Sequence, residues 1–215
     1  MVIANAGRAT ATMAVLLAAL AGYVDAMGFI VLGGFFVSFM SGNSTRAAVA
    51  AVGGGWHPAE VGAAVIALFV LGVVLGSLLG HRAASRRGPT VLGLVAVLLA
   101  FAAVVHPFAP TQVIVTALVL AMGVENTVFE GSAQASISLT YMTGTLVKLG
   151  QGIGGALTGG PRWAWVRFAV LWLGLVLGVV AGAAVHRWIG LTGLWLAAAT
   201  ALGLAIASAR VEPRT

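Results

Sequence analysis

Apolar residues run along this chain in blocks of about twenty, separated by short polar punctuation. Blocks of that length match the ~20 residues a helix needs to cross ~30 Å of hydrocarbon, and they lack the alternation of ~10-residue barrel strands. The pattern predicts six membrane-spanning helices, at about 9–31, 58–81, 89–107, 110–130, 163–186 and 189–208. Pro58, Pro89, Pro110 and Pro161 stand near span starts, where a missing N–H costs least. Two segments break the pattern. Phe35 to Gly55 holds Ser38, Ser41, Gly42, Asn43, Ser44, Thr45 and Arg46. Gly131 to Gly160 holds Ser132, Gln134, Ser136, Ser138, Thr140, Thr143, Gly144, Thr145, Lys148 and Gln151. Both are too polar for ordinary spans and too apolar for solvated loops. Each is therefore expected to contain a discontinuous or re-entrant half-helix.

Composition narrows the class. The 215 residues are 60% hydrophobic and 7% charged, against about 25% charged in a soluble domain. A soluble enzyme and a disordered segment are both excluded. With no cysteine in the chain, disulfides, thiolate zinc sites and cysteine nucleophiles are excluded too. The net charge of +6 comes mostly from residues near span ends, so it reads as topology signals and lipid contacts rather than nucleic-acid binding. If neither polar segment fully crosses, Arg8, the Arg82–Arg86–Arg87 cluster, Arg162 with Arg167, and Arg210 with Arg214 all fall on one side. Only Arg187 dissents. The positive-inside rule then predicts six spans plus two partial ones, with both termini cytoplasmic. Ala19-Leu20-Ala21 looks like a secretory cleavage site, but cleavage there would destroy the internal repeat, so the run is read as a span. Trp56, Trp163, Trp165 and Trp188 read as an interfacial belt. His57, His81, His106 and His186 lie near span ends without metal-ligand spacing, and no metal or cofactor is expected.

The second half restates the first. At an offset of about 100, Gly22-Tyr23-Val24-Asp25 aligns with Met122-Gly123-Val124-Glu125. At about 102, Phe39-Met40-Ser41-Gly42-Asn43 aligns with Tyr141-Met142-Thr143-Gly144-Thr145, and Arg46 with Lys148. Leu71 to Gly76 aligns with Leu173 to Gly178 in the same way. Repeat one covers about 9–107 and repeat two about 110–208, within a single transmembrane domain. Three full spans per repeat would invert the second relative to the first, a plan common among transporters and channels.

The repeat also marks the candidate chemistry. Asp25 and Glu125 lie well inside spans, where an acid costs roughly 2.5–3.5 kcal/mol on insertion scales. Such groups carry protons, bind cations or gate a path, unless buried ion pairs neutralise them. Asp25–Arg46 and Glu125–Lys148 pairs, or crossed pairs between the repeats, are the corresponding structural reading. Ser41-Gly42-Asn43 and Thr143-Gly144-Thr145 suit helix N-caps, presenting free N–H groups and a positive dipole end within the membrane. Arg46 and Lys148, in or near the first turn, would add positive potential that suits an anion or polar solute. Gly72, Gly76 and Gly80 form one small-residue stripe, and Gly174, Gly178 and Gly182 its counterpart. These could pack the two repeats together or build a homo-oligomer.

Gly22-Tyr23-Val24-Asp25-Ala26, Gly33-Gly34-Phe35-Phe36-Val37 and Met40-Ser41-Gly42-Asn43 resemble the YoaK-like family of bacterial integral membrane proteins. So do Glu125-Asn126 and Thr140-Tyr141-Met142-Thr143-Gly144-Thr145-Leu146. The resemblance covers about 12–208, with Ser41 where the family has threonine. It implies a multi-pass inner-membrane protein of about six spans and supplies no activity. The residues themselves point to an all-α polytopic transporter or channel for a small anion or polar metabolite, with proton coupling. Its path would use Asp25, Glu125, Ser41, Gly42, Asn43, Arg46, Thr143, Gly144, Thr145 and Lys148. The alternatives are a non-transporting structural or regulatory membrane protein and an intramembrane enzyme. The enzyme is disfavoured because a duplicated acid suits a path better than a single catalytic centre.

Overall fold

A computed structural model of the protein describes residues 7–130 and 142–211. Ser132, Gln134, Ser136, Ser138, Thr140, Tyr141 and Arg214 lie outside the described residues, as does the side chain of Arg8. Every regular element among the described residues is helical: α1 (Arg8–Val31), α2 (Met40–Val52), α3 (Trp56–Ala83), α4 (Arg87–Val105), α5 (Thr111–Glu125), α6 (Met142–Leu157), α7 (Val166–Ile189) and α8 (Leu194–Val211). Three helical runs are long and apolar enough to cross a membrane, at 9–31, 56–105 and 166–210. The second and third fold back at short 3₁₀ turns, Ala84–Arg86 and Gly190–Gly193. Gly190 takes φ 60° there, a conformation open to glycine at little cost.

Five of the six expected spans appear with boundaries shifted by a few residues. The fourth departs from expectation. Helix α5 stops at Glu125 after 15 residues, about 22 Å at the usual rise and short of the ~30 Å hydrocarbon thickness. Beyond it the backbone tightens into i→i+3 bonds. The amides of Thr127, Val128 and Glu130 donate to the carbonyls of Val124, Glu125 and Thr127 at 3.0, 3.1 and 3.1 Å. The chain thus leaves helical geometry at its most deeply buried acid.

Apolar burial drives little helix association inside lipid, so close packing and small residues must do it. Helix α1 lies along α7, and α3 along α5. Helix α4 packs on both α8 and α5, α8 also touches α1, α2 lies on α3, and α6 on α7. Exchanging the halves, α1 with α5 and so on to α4 with α8, carries α1–α7 onto α3–α5, α4–α5 onto α1–α8 and α2–α3 onto α6–α7, and returns α4–α8 to itself, whereas the contact of α3 with α4 has no comparable counterpart between α7 and α8. The glycine stripes sit at the joints. A Cβ at Gly174, Gly178 or Gly182 would strike the backbone of Val15, Ala19 or Tyr23 on α1. One at Gly72 would come within 2.5 Å of the Leu120 carbonyl oxygen on α5, and one at Gly76 within 2.5 Å of Thr127 Oγ1. Gly72, Gly76, Gly174, Gly178 and Gly182 therefore join the two halves of one chain and are buried there, whereas Gly80 faces Arg87 within the first half. Apolar side chains on the outward faces, such as Val70, Leu78, Leu177 and Val180, are exposed and suit contact with lipid. Trp56, Trp163 and Trp188 are exposed near helix ends, where the interfacial belt places them.

Candidate functional site

In the first half, the two conspicuous polar groups are committed to backbone. The chain turns back after α1 through Gly33 and Gly34, at φ 62° and 106°. The segment that follows has no helix or sheet partners of its own, so its amides need acceptors from elsewhere. Asp25 supplies one: its Oδ1 accepts the N–H groups of both Val37 and Ser38 at 2.8 Å. Asn43, fully buried, clamps the Phe36 peptide on both sides. Its Oδ1 accepts the Phe36 N–H at 2.9 Å and its Nδ2 donates to the Phe36 carbonyl at 2.7 Å. Phe36 also packs between Phe29, tilted against it, and Phe39, edge-to-face, with ring centroids 4.8 and 5.3 Å away.

This geometry corrects the expected caps. Helix α2 begins at Met40 with Phe39 at the N-cap, which makes no side-chain cap bond. Ser41, Gly42 and Asn43 thus lie inside the first turns rather than ahead of them. The hydroxyls of Ser44 and Thr45 turn back to the carbonyls of Met40 and Ser41 at 2.9 and 3.2 Å. Helix α6 likewise starts at Met142, which places Thr143, Gly144 and Thr145 within it. Arg46 and Lys148 fall in the second turn of each helix and are exposed. Arg46 lies over the Phe35 ring at 4.9 Å.

Two variants test these roles. Asn43→Ala leaves a buried N–H and C=O unpaired, at about 1–3 kcal/mol for each group, and should lower the melting temperature of the detergent-solubilised protein. Asp25→Asn keeps an oxygen at the same place and should melt close to wild type, whereas Asp25→Ala should not. Equal melting for both Asp25 variants would show that the bonds to Val37 and Ser38 do not hold this turn.

The second half differs. Glu125, the last residue of α5, is fully buried. Neither carboxyl oxygen has a hydrogen-bond partner among the described residues. The positions answering to Val37 and Ser38 are 139 and 140, outside the described residues. Thr145 on α6 is buried and Lys148 exposed. The expected acid–base pairs do not form: neither Asp25 with Arg46 nor Glu125 with Lys148 makes an ion pair among the described residues. The physical reason is local for Asp25, whose oxygen is already taken by two backbone donors.

Among the described residues, an ion pair joins Arg87, the first residue of α4, to Glu130 beyond α5. Arg87 Nε also donates to the Thr127 carbonyl at 3.0 Å, and Ser77 Oγ to Glu130 Oε2 at 2.7 Å. The sequence pattern places Arg87 in a topology cluster, and Glu130 aligns with an isoleucine, Ile30, in the first half. Two open clefts lie elsewhere. One, of about 290 Å³, lies between α4 and α5 and is lined by Leu98, Phe101, Gln112, Val113, Thr116 and Leu120, among others. The other, of about 280 Å³, lies between α1, α7 and α8 and includes Leu16, Leu20, Tyr23, Leu177, Leu196 and Thr200. Both are largely apolar, and neither is lined by Asp25 or Glu125.

Comparison with known proteins agrees with the membrane architecture. Residues 13–207 match the family described as "Protein of unknown function (DUF1275)". The chain is 34% identical over 195 residues to the UPF0700 transmembrane protein RA0705 of Rhizobium meliloti, covering 91% of this chain and 84% of that one. It is 30% identical over 155 residues to the UPF0700 transmembrane protein YoaK of Bacillus subtilis, covering 68% of each. No solved structure gives a significant match.

Proposed function

The chain belongs to the DUF1275 family of membrane-embedded proteins, and from that premise we propose that it is a small transporter or channel of the bacterial inner membrane. It moves a small anion or polar metabolite, with proton coupling. One observation carries this reading: a fully buried carboxyl group, without a hydrogen-bond partner among the described residues, at the end of a helix broken short of membrane thickness. An ionised carboxylate in that position costs several kcal/mol unless it is neutralised. The site is therefore occupied by a proton or another cation whenever the protein holds this arrangement. Discontinuous helices with an ionisable group at the break are a recurrent transport device.

The two acids then divide the work. Glu125 exchanges the proton, while Asp25 and Asn43 hold the turn before α2. Arg46 and Lys148, with Ser41, Gly42, Thr143, Gly144 and Thr145 in the helical turns before them, form the polar lining that attracts the solute. The near-symmetric helix pairings support two repeats, read as of inverted topology, and the distribution of Lys and Arg supports both termini on the cytoplasmic side. The saturated bonding of Asp25 and Asn43 suits the second reading, a non-transporting structural membrane protein, as far as the first half is concerned. No enzymatic role is proposed.

The test is a panel of small anions and polar metabolites applied to proteoliposomes holding a trapped pH-sensitive dye, with current recorded in parallel. One solute class should drive entry and move protons with it. Silence of dye and current across the panel would favour the structural reading.

A further inference from the structure

We propose that Arg87, Glu130 and Ser77 form a latch that controls aqueous access to Glu125. The inference rests on the reading of Glu125 as the exchanging carboxyl. The residues between Glu125 and Glu130 contain no continued α-helix; they are a succession of turns. Those turns are held from outside at two points. Arg87 reaches from the start of α4 to the Thr127 carbonyl and the Glu130 carboxylate, and Ser77 of α3 donates to the same carboxylate oxygen. The surface of α3 is shaped for this. A Cβ at Gly80 would lie 2.7 Å from Arg87 Cζ, so only glycine leaves room for the guanidinium there. Gly76 opens the same space for Thr127, whose hydroxyl donates to the Val124 carbonyl at 2.8 Å.

The latch has the strength a gate needs. The Arg87 side chain is 17% exposed and that of Glu130 51% exposed. A pair half open to water biases a conformation and can still be released. Release frees the Thr127 carbonyl together with the Glu130 carboxylate, and with them the turns that follow Glu125. Arg82, in the last turn of α3, and Arg86, in the 3₁₀ turn before α4, are both exposed and place a positive field at this end of the molecule. The first half has no equivalent, because Ile30 stands in the place of Glu130 and α1 continues as helix through Asp25 to Val31. Access is thus controlled on one side only.

The experiment needs no knowledge of the solute. Full-length protein in liposomes is treated with a water-soluble carbodiimide and an amine, and modification of each acid is followed by mass spectrometry. The amine ends as an amide on the carboxyl carbon, and the carbodiimide leaves as its urea. Glu125 should be protected in wild type. Arg87→Gln and Glu130→Gln should each speed its modification at least about tenfold, within the range of coupling between linked sites. The swap Arg87→Glu with Glu130→Arg should restore protection only in part, because it returns the ion pair while the Thr127 carbonyl stays without its Arg87 donor. Modification of Glu125 at one rate in every protein would overturn the latch. So would a parallel rise at Asp25, since that marks general loosening. Protected and released behaviour as expected, in a protein that moves no solute, would retain the latch and remove the transport reading instead.

Discussion

Replacing Glu125 by glutamine should reduce solute-driven proton movement to the level of empty vesicles, while replacing it by leucine should make the protein more stable. Both follow from one feature: the carboxyl group is fully buried, and no described residue donates a hydrogen bond to it. A polar group buried without a partner costs about 1–3 kcal/mol on mutational scales. An apolar side chain of similar size removes that cost, so Glu125→Leu should gain a comparable amount and melt several degrees higher. The glutamine variant keeps the shape and polarity but cannot exchange a proton. A carboxyl retained for structure would behave in the opposite way: its loss would destabilise. Thermal unfolding of the three proteins in one detergent separates the cases, with lower melting of Glu125→Leu contradicting the functional assignment. Sites that trade stability for activity give this signature.

The second large effect is expected at Gly178. This residue of α7 meets the Ala19 carbonyl and Cα of α1 so closely that a Cβ would overlap backbone, with no flexible side chain to move aside. Gly178→Ala should cost the upper part of the ~1–3 kcal/mol typical of overpacking, and Gly178→Leu should prevent recovery of folded protein. Gly93 and Gly203 are the controls. Both are helical and a Cβ at either meets nothing within 4 Å. Alanine there should be neutral or stabilising by up to about 1 kcal/mol, since it restricts the unfolded chain and favours helix. Equal behaviour of Gly178→Ala and Gly203→Ala in a melting assay would mean that the α1–α7 joint is not the close contact described.

Much of the scaffold was legible because lipid imposes a length on every apolar run: the turn at Ala84–Arg86 falls between runs the hydrophobicity pattern already separates, whereas the turn at Gly190–Gly193 falls inside the run expected at 189–208, because α7 continues to Ile189 and α8 begins only at Leu194. The polar segments were legible as irregular but not in detail. Ser-Gly-Asn looked like a cap because side-chain type was the only clue, whereas the amides ahead of α2 are met by Asp25 from a different helix. A backbone donor leaves no mark in a pattern of side chains. The same blindness produced the expected pairs of Asp25 with Arg46 and Glu125 with Lys148: similar spacing in both halves suggested partners, and packing decided otherwise. Arg87 and Glu130 are 43 residues apart in sequence and meet across α3 and the end of α5. The one advance sign was the gap at Gly80, part of a glycine stripe that looked merely structural. The shortening of α5 was hidden because Val128 and Phe129 remain apolar beyond the break, so hydrophobicity continues where the helix does not.

The central claim, that Glu125 carries the proton of a coupled transport cycle and Asp25 does not, is tested most directly by intravesicular pH. Wild type, Asp25→Asn and Glu125→Gln would be reconstituted at equal density, each shown monodisperse, and challenged with the solute class that wild type accepts. Wild type and Asp25→Asn should both acidify the lumen as solute enters, and Glu125→Gln should give no change. Acidification by Glu125→Gln at the wild-type rate would contradict the account.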